Sequence, residues 1–468
     1  MMRSNLPASF LLLFCCTLFA QQPDPQPNQQ PAQTSWTIQQ AVNQAGQFPS
    51  ISAAEEQVNA AAAGIRLART NYLPSVNAIG QVNRATRNNV FGLLLPQSVV
   101  PNMSGPVLGT NNGTTVWGSA AGVLVSWEPF DFGRRRALVR SAQATQDRTQ
   151  VSAEKTRFEI ETSTAAAFLT LLASEQTVRV AQASVDRAQV VVKSVKALVD
   201  AKLRPGADLS RANTELDAAI TQLLQAQQST AVARASLAEL TGTNVTTFAA
   251  VPGPLLDRLP ETTGEAAADL SKNPAAREQA GVIAESKSKL DVLQRTYRPT
   301  FAFQGAAYGR GTGALTNGQT LGGAAGLAPN YFNVAVGFTV NFSLLSVASI
   351  HAQEAQAAAT ERSSEATYKQ VLADLQAQSN AARATLDQAR QIAAVTPREV
   401  QDARTGFTQA NAQYRAGLAT IVALAEAERL LAQAEIDDSL AKLAVWRAWL
   451  QLQTAAGDIG SFLTEAGR

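Results

Sequence analysis

The stretch AAAFLTLLASEQTVRVAQASVDRAQVVVKSVKALVDAKLRPGADLSRANTELDAAITQLLQAQQSTAVARASLAEL, residues 165–240, decides the fold. Leu171, Val178, Val185, Val192 and Val199 recur at seven-residue intervals, with Ala181, Ala188 and Val195 interleaved. Leu203-Arg204-Pro205-Gly206 then reads as a turn. A second ladder follows: Leu209, Leu216, Leu223, Thr230 and Leu237, with Ala212, Ala219, Ala226, Ala233 and Leu240 beside it. A strict seven-residue repeat keeps an apolar seam facing its partner only when helices wind left-handedly about each other. The stretch is therefore a long antiparallel helical hairpin, each arm about 35–40 residues and about 55 Å long. Alanine at alternate seam positions lets the backbones approach closely, as in a wall built of helices rather than a globular core.

Composition sets limits around that hairpin. The 468 residues carry a formal charge of +2, which leaves no electrostatic footprint for nucleic acid. Residues 1–20 combine Arg3 with the apolar run from Phe10 to Ala20, too short to span a bilayer, and read as a secretory signal peptide. Both cysteines, Cys15 and Cys16, lie inside it, so the mature chain has no thiol and no disulfide. Acylation of Cys16 would require small residues before it, and Phe14 and Cys15 stand there instead. Residues 21–35 are rich in Pro and Gln and read as a disordered leader.

Along the mature chain the period switches repeatedly. Residues 37–72 are helical, with Pro49 starting a new helix after Phe48. Strands are expected at about 75–86 and 117–127, separated by a Gly- and Asn-rich loop. Helix runs from Arg134 to Lys202, then the turn at 203–207, then helix to Leu240 and a connector over 241–263. The order then repeats: Pro274 answers Pro49 and Pro299 answers Pro74, a spacing of 225 (274 − 49 and 299 − 74). Strands at about 300–309 and 331–345 follow, then helix to about Ala394, restarting at Pro397. A second turn at 414–418 places Tyr414-Arg415-Ala416-Gly417 opposite Leu203-Arg204-Pro205-Gly206 at an offset of 211 (417 − 206). A last helix ends near Thr454, and 458–468 reads as a loose tail. The chain thus divides into two repeats, 36–263 and 264–457.

Residues 332–344 alternate most cleanly. Phe332, Val334, Val336, Phe338, Val340, Phe342 and Leu344 share one face, and Asn333, Ala335, Gly337, Thr339, Asn341 and Ser343 the other. Ten-residue strands with one large apolar face and one small polar face are the pattern of a transmembrane β-barrel. A sheet in hydrocarbon must close, and four strands are too few where about eight are needed. Several chains must therefore pool their strands.

With these motifs in order and duplicated, the sequence resembles the TolC family of outer-membrane efflux proteins. The matching features are the Pro49/Pro74 and Pro274/Pro299 frames, Trp127-Glu128-Pro129-Phe130-Asp131-Phe132-Gly133 after the second strand, and the two turns. The resemblance implies a homotrimer: a twelve-stranded β-barrel, four strands per chain, continued by a long periplasmic α-helical barrel. It implies an outer-membrane location, no enzymatic activity, and work with a periplasmic adaptor and an inner-membrane transporter of RND, ABC or MFS type. The cargo would be small molecules or proteins leaving the cell. The alternative reading is a periplasmic coiled-coil adaptor, which would show one hairpin flanked by compact β domains; a third is a coiled-coil structural protein of the envelope.

The resemblance also nominates residues. The turns become adaptor-docking tips: Arg204, Pro205, Gly206 and Ala207, and Arg415, Ala416, Gly417 and Leu418. Each turn would need its glycine for a left-handed residue. Tyr414 and Glu426 would line the periplasmic aperture, where three Glu426 carboxylates would raise one another's pKa values. The plainer reading pairs Glu426 with Arg429 on one helix face. Ala423 stands where a second acidic ring occurs, and Ala419 where a latch arginine occurs, so both are missing here. Glu215 would answer Glu426 at the offset of 211 (426 − 215). His351, the single histidine, has no second ligand near it in sequence, so no metal site and no cofactor is expected.

Overall fold

A computed structural model describes residues 34–86, 114–243, 248–261, 269–315, 319–342 and 346–468. The signal peptide, most of the leader, the 87–113 loop and Leu344 lie outside the described residues. The chain contains two long helical hairpins, a four-stranded sheet at one end, and a girdle of short elements part-way along.

The first repeat opens with β1 (Thr34–Trp36), α1 (Ile38–Ala45) and α2 (Pro49–Thr70). Thr37 caps α1 with a capping box that includes Gln40. Pro49 begins α2, where its missing N–H costs nothing. Strands β2 (Ser75–Thr86) and β3 (Thr115–Phe130) follow. Then come α3 (Arg134–Asp200), of 67 residues, α4 (Gly206–Thr241) and β4 (Phe248–Ala250). The second repeat has α5 (Pro274–Thr296), β5 (Thr300–Thr312), β6 (Tyr331–Asn341), α6 (Ser346–Arg415), α7 (Ile421–Ala456) and α8 (Ile459–Ala466). At 1.5 Å per residue α3 is roughly 100 Å long.

The sheet runs β2-β3-β5-β6, every neighbour antiparallel. Its register aligns one outward row across three strands, Val125, Gly305 and Val336, and a second, Trp127, Phe303 and Phe338. Phe332, Val334, Val336, Phe338 and Val340 are each more than half exposed. The opposite face carries buried Ala120, Leu124, Ala302, Gln304 and Ala306. An exposed apolar face on an open sheet is what lipid would cover.

The seam residues behave as their spacing requires. Ala181, Val185, Ala188 and Val195 of α3 are buried, as are Ala212, Ala219, Ala226, Ala233 and Leu237 of α4. Between the seams and the sheet, α3 and α5 run antiparallel and are joined by ion pairs. Arg140 meets Asp291 at 2.6 Å, Lys155 meets Glu278 at 2.9 Å and Glu154 meets Arg277 at 2.8 Å. Glu285 is held by both Arg148 and Lys289, at 2.5 and 2.7 Å.

Three expectations are corrected. Residues 458–468 are not a loose tail: α8 packs Phe462 edge-on against Trp446, centroids 6.1 Å apart, and both rings are fully buried. Arg258 donates to the Glu465 carbonyl at 2.9 Å, and the Trp446 indole N–H donates to the Arg258 carbonyl at 3.0 Å. Thr34 and Ser35, assigned to the leader, belong to β1, which pairs in parallel with β4. Helix α6 does not restart at Pro397 but runs through it. Thr396, buried beside the proline, donates to Asp438 of α7 at 2.9 Å, and packing along α7 offsets the lost helix bond.

Candidate functional site

The two hairpin turns lie side by side at the end of the molecule opposite the sheet. They share a small core: Val191 and Val195 of α3, Ala212 of α4, Tyr414 at the end of α6, and Ile421 and Leu424 of α7. Tyr414 is 1% exposed. Its hydroxyl donates to Asp208 Oδ2 at 3.0 Å, across from one hairpin to the other. Burial, then the Asp208 carboxylate, push its pKa up to about 12.

Arg204 completes the cross-tie. Its guanidinium lies 4.5 Å over the Tyr414 ring and donates to the Tyr414 carbonyl at 2.6 Å and the Ala419 carbonyl at 3.1 Å. These carbonyls belong to the end of α6 and the turn after it, which a guanidinium suits in both charge and fork geometry. Arg415 instead is exposed and, among the described residues, its guanidinium reaches only the Ser194 hydroxyl, at 3.4 Å. Pro205, Gly206, Ala207, Ala416, Gly417 and Leu418 are all exposed, and Leu418 is 81% exposed.

The hydrogen bonds correct the alignment of the tips. In the second turn Gly417 is left-handed at φ 81°, its N–H bonding the Tyr414 carbonyl, while Leu418 N–H bonds the Gln413 carbonyl. In the first turn Lys202 is left-handed at φ 60°, its N–H bonding the Val199 carbonyl, while Leu203 N–H bonds the Leu198 carbonyl. The two turns are therefore related by 215 residues, not 211 (417 − 202). Pro205 and Thr420, the residues capping α4 and α7, keep that spacing, as do the left-handed Gly242 and Gly457 that end them. The Arg-x-Gly similarity lies one helical turn out of register. Gly206 opens α4 and has no positive φ, so it is not the left-handed residue of its turn. In the corrected frame Arg204 answers Ala419, Asp208 answers Ala423, and Glu426 answers Arg211 rather than Glu215.

Glu426 lies on an exposed face of α7. Arg429 holds it at 2.6 and 3.2 Å and keeps its carboxyl below the usual range within the protomer. Glu215 pairs loosely with Arg211 at 3.8 Å. His351 meets only Glu354, at 3.2 Å, and no cluster of metal-ligating side chains occurs among the described residues.

Long hairpins with turns at one end and an open, apolar-faced sheet at the other are shared with known proteins. The model of the outer membrane efflux protein family matches residues 38–243 and 270–458. The chain belongs to the outer membrane efflux protein family. It is similar in structure to the outer-membrane channel OprN, with TM-score 0.70, 19% identity, and 91% and 90% of the two chains covered. It is similar to VceC of Vibrio cholerae, with TM-score 0.72, 16% identity and coverage of 90% and 96%. The open-state MtrE channel of Neisseria gonorrhoeae matches at TM-score 0.69, 16% identity, and 90% and 89% coverage. No curated protein sequence matches the chain. Efflux proteins of this family are outer-membrane channels, not enzymes; the sheet of this member sits in the outer membrane and its helices in the periplasm. The positions of the two turns were legible in the sequence; Asp208 was not, and its signal was its place in the first turn of α4, directly before the Leu209 seam residue.

Proposed function

We propose that three copies of this efflux protein close one twelve-stranded barrel and one helical duct, and that the duct joins a periplasmic adaptor and an inner-membrane transporter to form a tripartite exporter. The observation that carries this reading is the open four-stranded sheet. Among the described residues β2 and β6 each pair on one side only, and the exposed row from Phe332 to Val340 runs along one of these edges. An unpaired edge cannot persist in hydrocarbon, and two sister sheets supply the missing neighbours.

The exposed tip residues suit docking. Leu203 and Leu418 project an apolar side chain from each turn, and Arg415 stands beside them with most of its donors free for a partner. Arg204 acts differently in this reading: it fixes one tip to the other and so sets the surface that an adaptor meets. Tyr414 and Asp208 hold the two hairpins of one protomer together near the aperture, and Glu426 gives that end a ring of three carboxylates.

The test is export in a strain lacking the gene. Plasmid-borne wild type restores resistance to a panel of drugs and metal ions, while Leu418→Asp with Arg415→Glu leaves trimers intact and resistance lost. Full resistance in that variant removes the docking assignment.

A further inference from the structure

Where the strands meet the helices, the chain carries more positive charge than it can pair. Glu128 binds Arg134, Asp131 binds Arg135, and Asp291 is shared by Arg140 and Arg295. Arg66, Arg69, Arg136 and Arg298 are exposed and have no carboxylate partner among the described residues. Arg136 pairs with no carboxylate among the described residues. It sits in the first turn of α3, which holds no acidic residue, at the positive end of the helix dipole.

This surplus borders an aromatic surface on the lipid-facing side of the sheet. Phe130, Phe132, Phe301 and Phe338 form a chain of rings with centroids 4.7, 5.9 and 5.9 Å apart. Arg298 lies 5.8 Å over the Phe132 ring, the second of that chain. Phe130 and Phe338 remain more than half exposed, and Trp127 and Phe303 beside them are 41% exposed. Rings at this level sit where acyl chains give way to headgroups, and arginines just beyond them reach phosphates.

We propose that this belt, centred on Arg136 and Arg298, binds anionic phospholipid of the periplasmic leaflet: the guanidinia take the headgroup phosphates and the Phe130–Phe338 rings take the acyl chains. The inference rests on the membrane placement of the sheet. A basic residue near an anionic surface contributes about 1 kcal/mol, about fivefold in affinity. Two such residues in each protomer then give a clear preference over zwitterionic lipid.

The experiment is native mass spectrometry of the detergent-purified full-length assembly, titrated in parallel with phosphatidylglycerol, cardiolipin, phosphatidylethanolamine and inorganic phosphate. Wild type retains the two anionic lipids at least about tenfold more strongly than phosphatidylethanolamine. R136Q/R298Q brings that ratio below about twofold, whereas R136K/R298K keeps most of it because charge is retained. Unheated gel mobility of each variant reports assembly separately, so failure to assemble is not mistaken for loss of lipid. Equal retention of all three lipids, an unchanged ratio in R136Q/R298Q, or inorganic phosphate binding as tightly as the lipids overturns the proposal. So does a loss of export in R136Q/R298Q with lipid retention unaltered, which would make the belt a protein contact.

Discussion

The Arg204 guanidinium covers the Tyr414 ring and donates to the Tyr414 main-chain carbonyl, joining the turn of the first hairpin to the last residues of the long helix of the second. Nothing of this kind is duplicated, because Ala419 stands at the corresponding place of the other repeat and cannot reciprocate. One arginine therefore carries the cross-tie, and Arg204→Ala should loosen the tips. A bond from a charged donor contributes about 1.5–3 kcal/mol, so its loss shifts a two-state aperture at least about tenfold toward open. Single-channel recording in planar bilayers should show the rise, and Arg204→Lys should only partly reverse it, since an ammonium cannot lie flat on the ring and reach both carbonyls.

The Tyr414–Asp208 bond makes the tip sensitive to alkali. The Tyr414 pKa is raised from 10.0 to about 12 in the fold, so the folded protein favours the neutral phenol. That contribution is fully present below the unfolded value and is lost as pH rises through the folded one. Conductance should thus hold steady up to about pH 10 and increase between about pH 10 and 12. Tyr414→Phe should show elevated conductance at neutral pH and little further change over the alkaline range. An identical alkaline rise in Tyr414→Phe would assign it to another group.

Glu426 gives a prediction with two sides. Arg429 neutralises it within the protomer, so Glu426→Ala alone should lower cation selectivity only modestly. Arg429→Ala should raise selectivity, because in the proposed trimer it would free three carboxylates around one axis. Reversal potentials in a salt gradient measure both. If neither variant moves the reversal potential, the pair is a solvated face of α7 and nothing more.

Adjacent residues of each strand face opposite sides of the sheet, one toward lipid and one toward the lumen. Val336→Lys, on the exposed apolar row, should cost about 2–4 kcal/mol and reduce assembled protein in the outer-membrane fraction. Thr339→Lys, on the opposite face of the same strand, should assemble normally and alter selectivity. At the other structural centre, Phe462→Ala should cost about 3–5 kcal/mol by emptying the space beside Trp446, measured as a lower melting temperature of the purified assembly.

Long periodic elements were legible in the sequence because their side chains repeat the same decision many times. The heptads from Leu171 and from Leu209 gave the first hairpin, and the alternation from Phe332 gave β6. What was hidden depends on single long-range partners. Strand β1 is three residues long and pairs with β4 more than 200 residues later, so no local period marks it. Helix α8 is short, and its burial depends on Trp446 and Arg258. The register of the tips was misread because Arg415-Ala416-Gly417 imitates Arg204-Pro205-Gly206. The backbone instead makes Lys202, not a glycine, adopt the left-handed conformation in the first turn. Asp208 gains its meaning only when Tyr414 is placed beside it.

The most direct measurement is the mass of the detergent-solubilised particle, with the bound detergent accounted for. Three chains per particle, separating into single chains only on heating, is the result that shared strands require. A single chain that stays dissolved and folded after detergent is removed would contradict it.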